Sequence, residues 1–346
     1  MPRMKILVTT SNAVDFIGAD TLSYFDLELG RQADCKYAGK GYLLYMNGES
    51  TNQTVKRLYG HDPPDWVYGG ISGKKGDYRT AGRMIDLHRE LDKKIDRINK
   101  QKLDHLFFYY RQCKYASQTR ALQDWTLIDK DYWWNNIHGD KTWLPWSYEP
   151  KIFHPSDEEP LYDVTLLGDV GLPAYPFRTV IYNELPELCR ENKWRLLRGN
   201  RAPGKFILDG KTLRRKSVIH ANPELREKYI VGEDYAEALR RSKVFIFGTS
   251  ILKYPIKKWF EGMGSGTCIL ADEPSMAKEL GIVDGYNYIK ISPDDWKNKL
   301  QWILENESVR KKIAHQAYET MKQHHTHETR VKEMLDVLRR YDYAQV

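Results

Sequence analysis

Short apolar runs alternate with longer amphipathic stretches along most of the chain. Met4–Thr10 (MKILVTT) predicts a buried strand followed by the polar turn Ser11-Asn12-Ala13. Asp65–Tyr68 (DWVY), after the breaker Pro63-Pro64, predicts a second strand. Leu106–Tyr110 (LFFYY) predicts a third, after a charged helical stretch from about Glu90 to Gln101. Trp143–Pro155 (WLPWSYEPKIFHP) breaks the alternation. Three prolines there fix φ and remove backbone donors, as in a connecting segment. A second series follows, with strands at Asp163–Gly168, Trp194–Leu197, Val244–Gly248 and Thr267–Ala271. Helices are expected at Arg178–Asn192, Asp234–Arg241, from Pro255 to Met263, and over most of Asp294–Arg340.

Strands alternating with helices call for parallel sheets covered on both faces. The expected fold is therefore α/β, with two doubly wound Rossmann-like domains. Residues 1–150 form the first, 151–325 the second, and 326–346 a helix returning toward the first. Ligands of such sheets sit beyond the carboxyl ends of the strands, so the site is expected in the cleft that the two halves face.

Composition narrows the class. At 346 residues with 41% hydrophobic and 29% charged positions, the chain is globular and long enough for two cores. Its four cysteines (Cys35, Cys113, Cys189, Cys268) form no CxxC pair, and no apolar stretch has the length of a membrane span. Both features point to a cytoplasmic protein. The net charge of +7, with acidic residues mixed in throughout, reads first as a solvated, ion-paired surface. It leans only slightly toward an anionic acceptor, with nucleic acid and polysaccharide both open.

The segment richest in chemistry is Val244–Asp272, VFIFGTSILKYPIKKWFEGMGSGTCILAD. A strand ends at Gly248, the polar loop Thr249-Ser250 follows, and Pro255 suits the first turn of a helix. A helix start offers free N–H groups and a positive dipole end to a diphosphate. Lys253, Lys257 and Lys258 add cations, and a carboxylate at Glu261 is suited to accept both hydroxyls of a ribose. The turn at Gly168 is a further candidate for contact with the diphosphate.

This segment resembles the donor-binding signature of GT-B glycosyltransferases, in the group of spore-maturation-type (CgeB-like) and family-4-like enzymes. The shared pattern is a basic residue, Phe-Glu, a small-residue turn and an apolar strand, here Lys258-Trp259-Phe260-Glu261 followed by GMGSGTCILAD. Gly232–Phe247, Glu279–Ile289 and the linker Leu144–Pro155 are similar to the family's flanking elements. Asp86-Leu87-His88 resembles an Asp-x-His element on the acceptor side.

The resemblance implies transfer of a sugar from a nucleoside diphosphate sugar, of UDP or GDP type, to an acceptor hydroxyl on a polysaccharide, protein, small molecule or modified nucleic acid, without cofactor or essential metal. It places His88, Asp86 and Asp15 among the catalytic candidates. The donor-binding candidates are Glu261, Lys258, Lys257, Lys253, Thr249, Ser250, Gly248 and Gly168. Family-4 enzymes carry a sugar-facing glutamate eight positions before the ribose-binding one, where this chain has Lys253. A non-catalytic nucleotide-binding protein of the same fold is the second reading. A dinucleotide-dependent oxidoreductase is disfavoured, because no Gly-x-Gly-x-x-Gly follows the first strand. Asp129-Lys130-Asp131 reads as a surface turn and not as a metal motif.

Overall fold

In the computed structural model the described residues are 3–12, 20–70, 72–119, 124–170, 173–199, 205–208, 211–214, 230 and 232–343. They divide into two compact units. The first holds the described residues up to Pro145 and from His327 onward, and the second holds those from Trp146 to Thr326.

The first unit is built on a six-stranded sheet in the order β2-β1-β3-β4-β5-β8. Its strands are β1 (Lys5–Val8), β2 (Asp34–Tyr37), β3 (Trp66–Tyr68), β4 (Arg79–Met84), β5 (His105–Phe108) and β8 (Asp140–Trp143), all paired in parallel. A hairpin of β6 (Tyr115–Ser117) and β7 (Trp125–Leu127) stands apart from the sheet. Helices α1 (Asp20–Gln32), α2 (Thr51–Tyr59), α3 (Leu91–Gln101) and α4 (Tyr132–Asn136) supply the connections.

The chain's last helix, α10 (His327–Tyr343), belongs to this unit. Its Val331, Met334, Leu335 and Leu338 are buried among Ile6, Val8, Phe25, Leu29 and Trp66. That spacing puts all four on one helical face, each contributing about 1.5–3 kcal/mol by leaving water. A buried ion pair ties the sheet to α1. Arg83 of β4 bonds Asp26 at 2.8 Å, and the Thr10 hydroxyl after β1 donates to the same carboxylate at 2.6 Å.

The second unit has a five-stranded parallel sheet in the order β10-β9-β13-β14-β15. Its strands are β9 (Tyr162–Leu166), β10 (Leu196–Arg198), β13 (Ser242–Phe247), β14 (Cys268–Ala271) and β15 (Ile289–Lys290). A separate antiparallel pair joins β11 (Lys205–Leu208) to β12 (Lys211–Arg214). The helices are α5 (Pro176–Glu191), α6 (Glu233–Arg240), α7 (Lys257–Gly264), α8 (Trp296–Glu305) and α9 (Glu307–His324). Val164, Leu166, Val244, Ile246 and Leu270 of the sheet pack against Ile181 and Leu185 of α5 and Leu300 of α8.

The chain leaves β9 toward β10 on one side and leaves β13 toward β14 on the other. The gap between β9 and β13 is thus a topological switch point, the place where loops diverge and open a crevice at the carboxyl ends. In the first unit the same reversal falls between β1 and β3.

Both expected doubly wound sheets are present. Several strands were not expected, among them β2, β4 and β8. The expected helix start also moves. Pro255 lies ahead of α7, whose N-cap is Ile256, so it does not occupy the first turn. Lys253 adopts φ 54° and belongs to a tight turn in which its N–H donates to the Ser250 carbonyl.

Candidate functional site

Three adjacent strands of the second unit end together, and each hands over to a residue of the candidate site. β9 runs into Leu167-Gly168, β13 into Gly248-Thr249-Ser250, and β14 into Asp272. Gly168 has φ 126°, a conformation costly to any residue with a Cβ. A Cβ there would also lie 2.7 Å from Lys258 Nζ, so the lysine would have to move aside. At Gly248 a Cβ would lie 2.6 Å from the backbone nitrogen of Arg178, so this glycine lets the first turn of α5 approach the end of β13.

Two cations meet over the Gly168 turn. Lys258, on the first turn of α7, donates to the Leu167 carbonyl at 2.7 Å. Arg178, in the first turn of α5, donates through Nε to the Gly248 carbonyl at 2.8 Å and through Nη1 to the Asp169 carbonyl at 3.0 Å. Its guanidinium stacks 4.1 Å from the Tyr175 ring centroid, and its buried Nη2 has no hydrogen-bond partner among the described residues. Burial lowers the pKa of both groups, and the Arg178 charge lowers that of Lys258 further. Two basic groups desolvated by burial at a switch point, beside the first turn of α5, are the chemistry that suits an anion.

Glu261 lies one turn along α7 and is 1% exposed. Lys257 Nζ pairs with its Oε1 at 2.9 Å, while Oε2 has no hydrogen-bond partner among the described residues. A buried carboxylate oxygen without a donor is costly, and two vicinal hydroxyls would satisfy it.

Thr249 and Lys253 converge elsewhere. The Thr249 hydroxyl donates to Asp272 Oδ2 at 2.7 Å, and Lys253 forms an ion pair with the same oxygen. Asp272 therefore engages both groups and fixes the loop after β13. Ser250 is buried in that loop. Lys258 thus meets the Gly168 turn, Gly248 meets Arg178, and Lys257 meets Glu261, all at the carboxyl ends of β9 and β13, while Thr249 and Lys253 converge on Asp272.

Arg178, Tyr175 and Asp272 were missed from the sequence. Arg178 carried a readable signal. It sits in the apolar stripe of α5 with Phe177, Ile181 and Leu185, where a charge is out of pattern.

The acceptor-side candidates belong to the first unit. Asp86 and His88 lie in the loop between β4 and α3 and not in a helix. His88 is buried, packs 5.9 Å from the Trp125 ring and has Nδ1 4.0 Å from Asp86 Oδ1. Burial, with Arg89 and Lys94 nearby, pushes its pKa down to about 3, so the ring is neutral at pH 7. Asp15 lies outside the described residues. Asp129 and Asp131 form a turn ahead of α4, where Asp131 pairs with Arg111.

No described helix is long and apolar enough to cross a membrane. No curated protein sequence matches the chain. Residues 190–336 match the family described as glycosyl transferase-like, a span that includes Lys253, Lys257, Lys258 and Glu261. Similar folds occur over nearly the whole length. Sucrose-phosphate synthase from Thermosynechococcus elongatus superposes with a TM-score of 0.62 at 12% identity, covering 99% of this chain and 100% of that one. Anabaena Alr3699/HepE, solved with UDP-glucose, gives 0.58 at 11% identity over 97% of this chain and 99% of that one. An alpha-glucosyltransferase solved with UDP and a 13-mer DNA containing a HMU base gives 0.59 at 10% identity, again over 97% and 99%. Residues 190–336 thus match a glycosyl transferase-like family, and the chain carries the two-domain GT-B fold of these proteins across nearly its whole length.

Proposed function

We propose that the second unit binds a nucleoside diphosphate sugar and that the first presents the acceptor hydroxyl. The observation that carries this reading is the pairing of Arg178 and Lys258 over Gly168 with the open carboxylate oxygen of Glu261. The diphosphate lies on the two cations and the ribose hydroxyls on Glu261. When the glycosidic bond breaks, negative charge grows on the departing diphosphate. Cations already fixed and dehydrated stabilise that charge without reorganising. UDP is the first donor base to test, with GDP the alternative.

On the acceptor side, neutral His88 is suited to orient a hydroxyl and exposed Asp86 to receive its proton. The Lys258–Glu261 segment and the Asp86–His88 element support a relation to the spore-maturation-type enzymes. Four free cysteines support a cytoplasmic setting.

The test is slow donor hydrolysis with a panel of UDP and GDP sugars. Release of nucleoside diphosphate from one donor, abolished in Lys258→Ala and Arg178→Ala, is expected. Nucleotide binding without release from any donor would leave a binding protein and not a transferase.

A further inference from the structure

A second cationic site lies in the first unit. Arg89, Lys93, Lys94 and Arg97 line a pocket of about 210 Å³ together with one carboxylate, that of Glu90. Topology places it on the ligand side of the sheet. The loop holding Arg89 leaves the carboxyl end of β4, and α3 begins there at Leu91, putting Lys93 and Lys94 in its first turn.

The loop is built and not loose. The N–H of Glu90 donates to the Ser117 carbonyl at 2.6 Å, and the Ser117 N–H donates to the His88 carbonyl at 2.7 Å. Lys94, half-buried, donates to the Asp86 carbonyl at 2.5 Å. Burial lowers its pKa; the Asp86 and Glu90 carboxylates oppose that effect, and Arg89 and Arg97 add to it.

Four cations line the pocket with one carboxylate, Glu90, 3.3 Å from Lys93, and the Asp86 carboxylate acts on Lys94 from outside the lining, leaving a net positive charge. No carboxylate pairs with Arg89 or Arg97 among the described residues. Asp92, on the same helix, instead accepts from the Tyr132 hydroxyl at 3.2 Å. The first turn of α3 adds its positive dipole end. The pocket is smaller than the roughly 300–1,000 Å³ of a whole-ligand site, so it suits one charged group of a larger molecule.

We propose that this pocket binds a phosphate group carried by the acceptor, one residue along the chain from His88. The proposal rests on the glycosyltransferase reading, with the first unit as acceptor side.

The experiment is lysine acylation of the full chain, read at each lysine by mass spectrometry. Inorganic phosphate is the probe, and chloride at matched ionic strength is the control. Phosphate is expected to slow acylation of Lys93 and Lys94 several-fold while leaving exposed Lys100 and Lys114 unchanged. Arg89→Ala with Arg97→Ala, both at exposed positions, should remove the protection without shifting Tm. Equal rates in phosphate and chloride at Lys93 and Lys94, or equal slowing at Lys100, would overturn the proposal. The readout needs neither nucleotide nor turnover, so it stands or falls separately from the donor site.

Discussion

Lys258 and Gly168 are in such close contact that a single methyl at 168 would lie 2.7 Å from the ammonium. The lysine donates to the Leu167 carbonyl directly over this turn, which has no side chain. Gly168→Ala strains a backbone at φ 126° and also pushes against Lys258. A stability loss of about 1–3 kcal/mol is expected from the strain alone. Weaker nucleoside diphosphate binding should accompany it, measured by calorimetry beside thermal unfolding. An alanine variant with wild-type affinity would show that Lys258 need not sit there.

The lowered pKa of Lys258 gives donor binding a pH signature. In the free protein, burial and the Arg178 charge hold the Lys258 ammonium's pKa well below its usual value. A bound diphosphate favours the ammonium, so its pKa rises on binding and a proton is taken up above the free-state pKa. Affinity should therefore fall as pH rises through that range. Calorimetric titrations in buffers of different ionisation enthalpy should report uptake of a proton, and Lys258→Met should abolish it.

Three buried histidines of the first unit make it acid-labile. Burial lowers His88 and His327 to about 3 and His105 to about 4, so all three are neutral in the fold. In the unfolded chain they take up protons near pH 6.5. Folded pKa values below unfolded ones mean that stability is lost as pH falls from about 6.5 toward those values. Thermal unfolding between pH 7 and 4.5 should show the first unit's transition falling. His327→Leu should flatten that slope, and an unchanged slope would remove His327 from the account.

The Arg83–Asp26 pair anchors the end of β1, because Thr10 bonds the same carboxylate. Arg83→Ala leaves Asp26 buried without its counter-charge, at an expected cost of about 3–5 kcal/mol. The double change Asp26→Leu with Arg83→Met should recover most of it. Denaturant unfolding of the three proteins checks this, and a single variant as stable as wild type would contradict it.

Legibility followed the reach of each interaction. Val244–Phe247 and Cys268–Ala271 are apolar and fully buried, so their sequence alone marks them as inner strands. β4 (RTAGRM) reads as polar. Its Arg83 is neutralised by Asp26, 57 residues away, and its Thr80 is bonded to Asp104. No local pattern carries such partners. The same holds at the site. Lys258 and Glu261 share one helix and are read together. Arg178 joins them only because β9 and β13 are neighbours, which lets its Nε reach the Gly248 carbonyl. The start of α7 after Pro255 was misplaced because proline permits a helix start without requiring one.

The central claim is that the crevice recognises a nucleoside through Glu261 and its diphosphate through Lys258 and Arg178. Calorimetric titration with uridine, UMP and UDP, or the guanosine series, separates the two halves. Wild type should bind the diphosphate most tightly. Lys258→Ala should erase the advantage of UDP over UMP while retaining nucleoside binding. Glu261→Ala should weaken every member alike by about 1.5–3 kcal/mol, the worth of hydrogen bonds to a charged group. Equal affinity of the wild type for uridine and UDP, or no binding of any member of either series, would contradict the account.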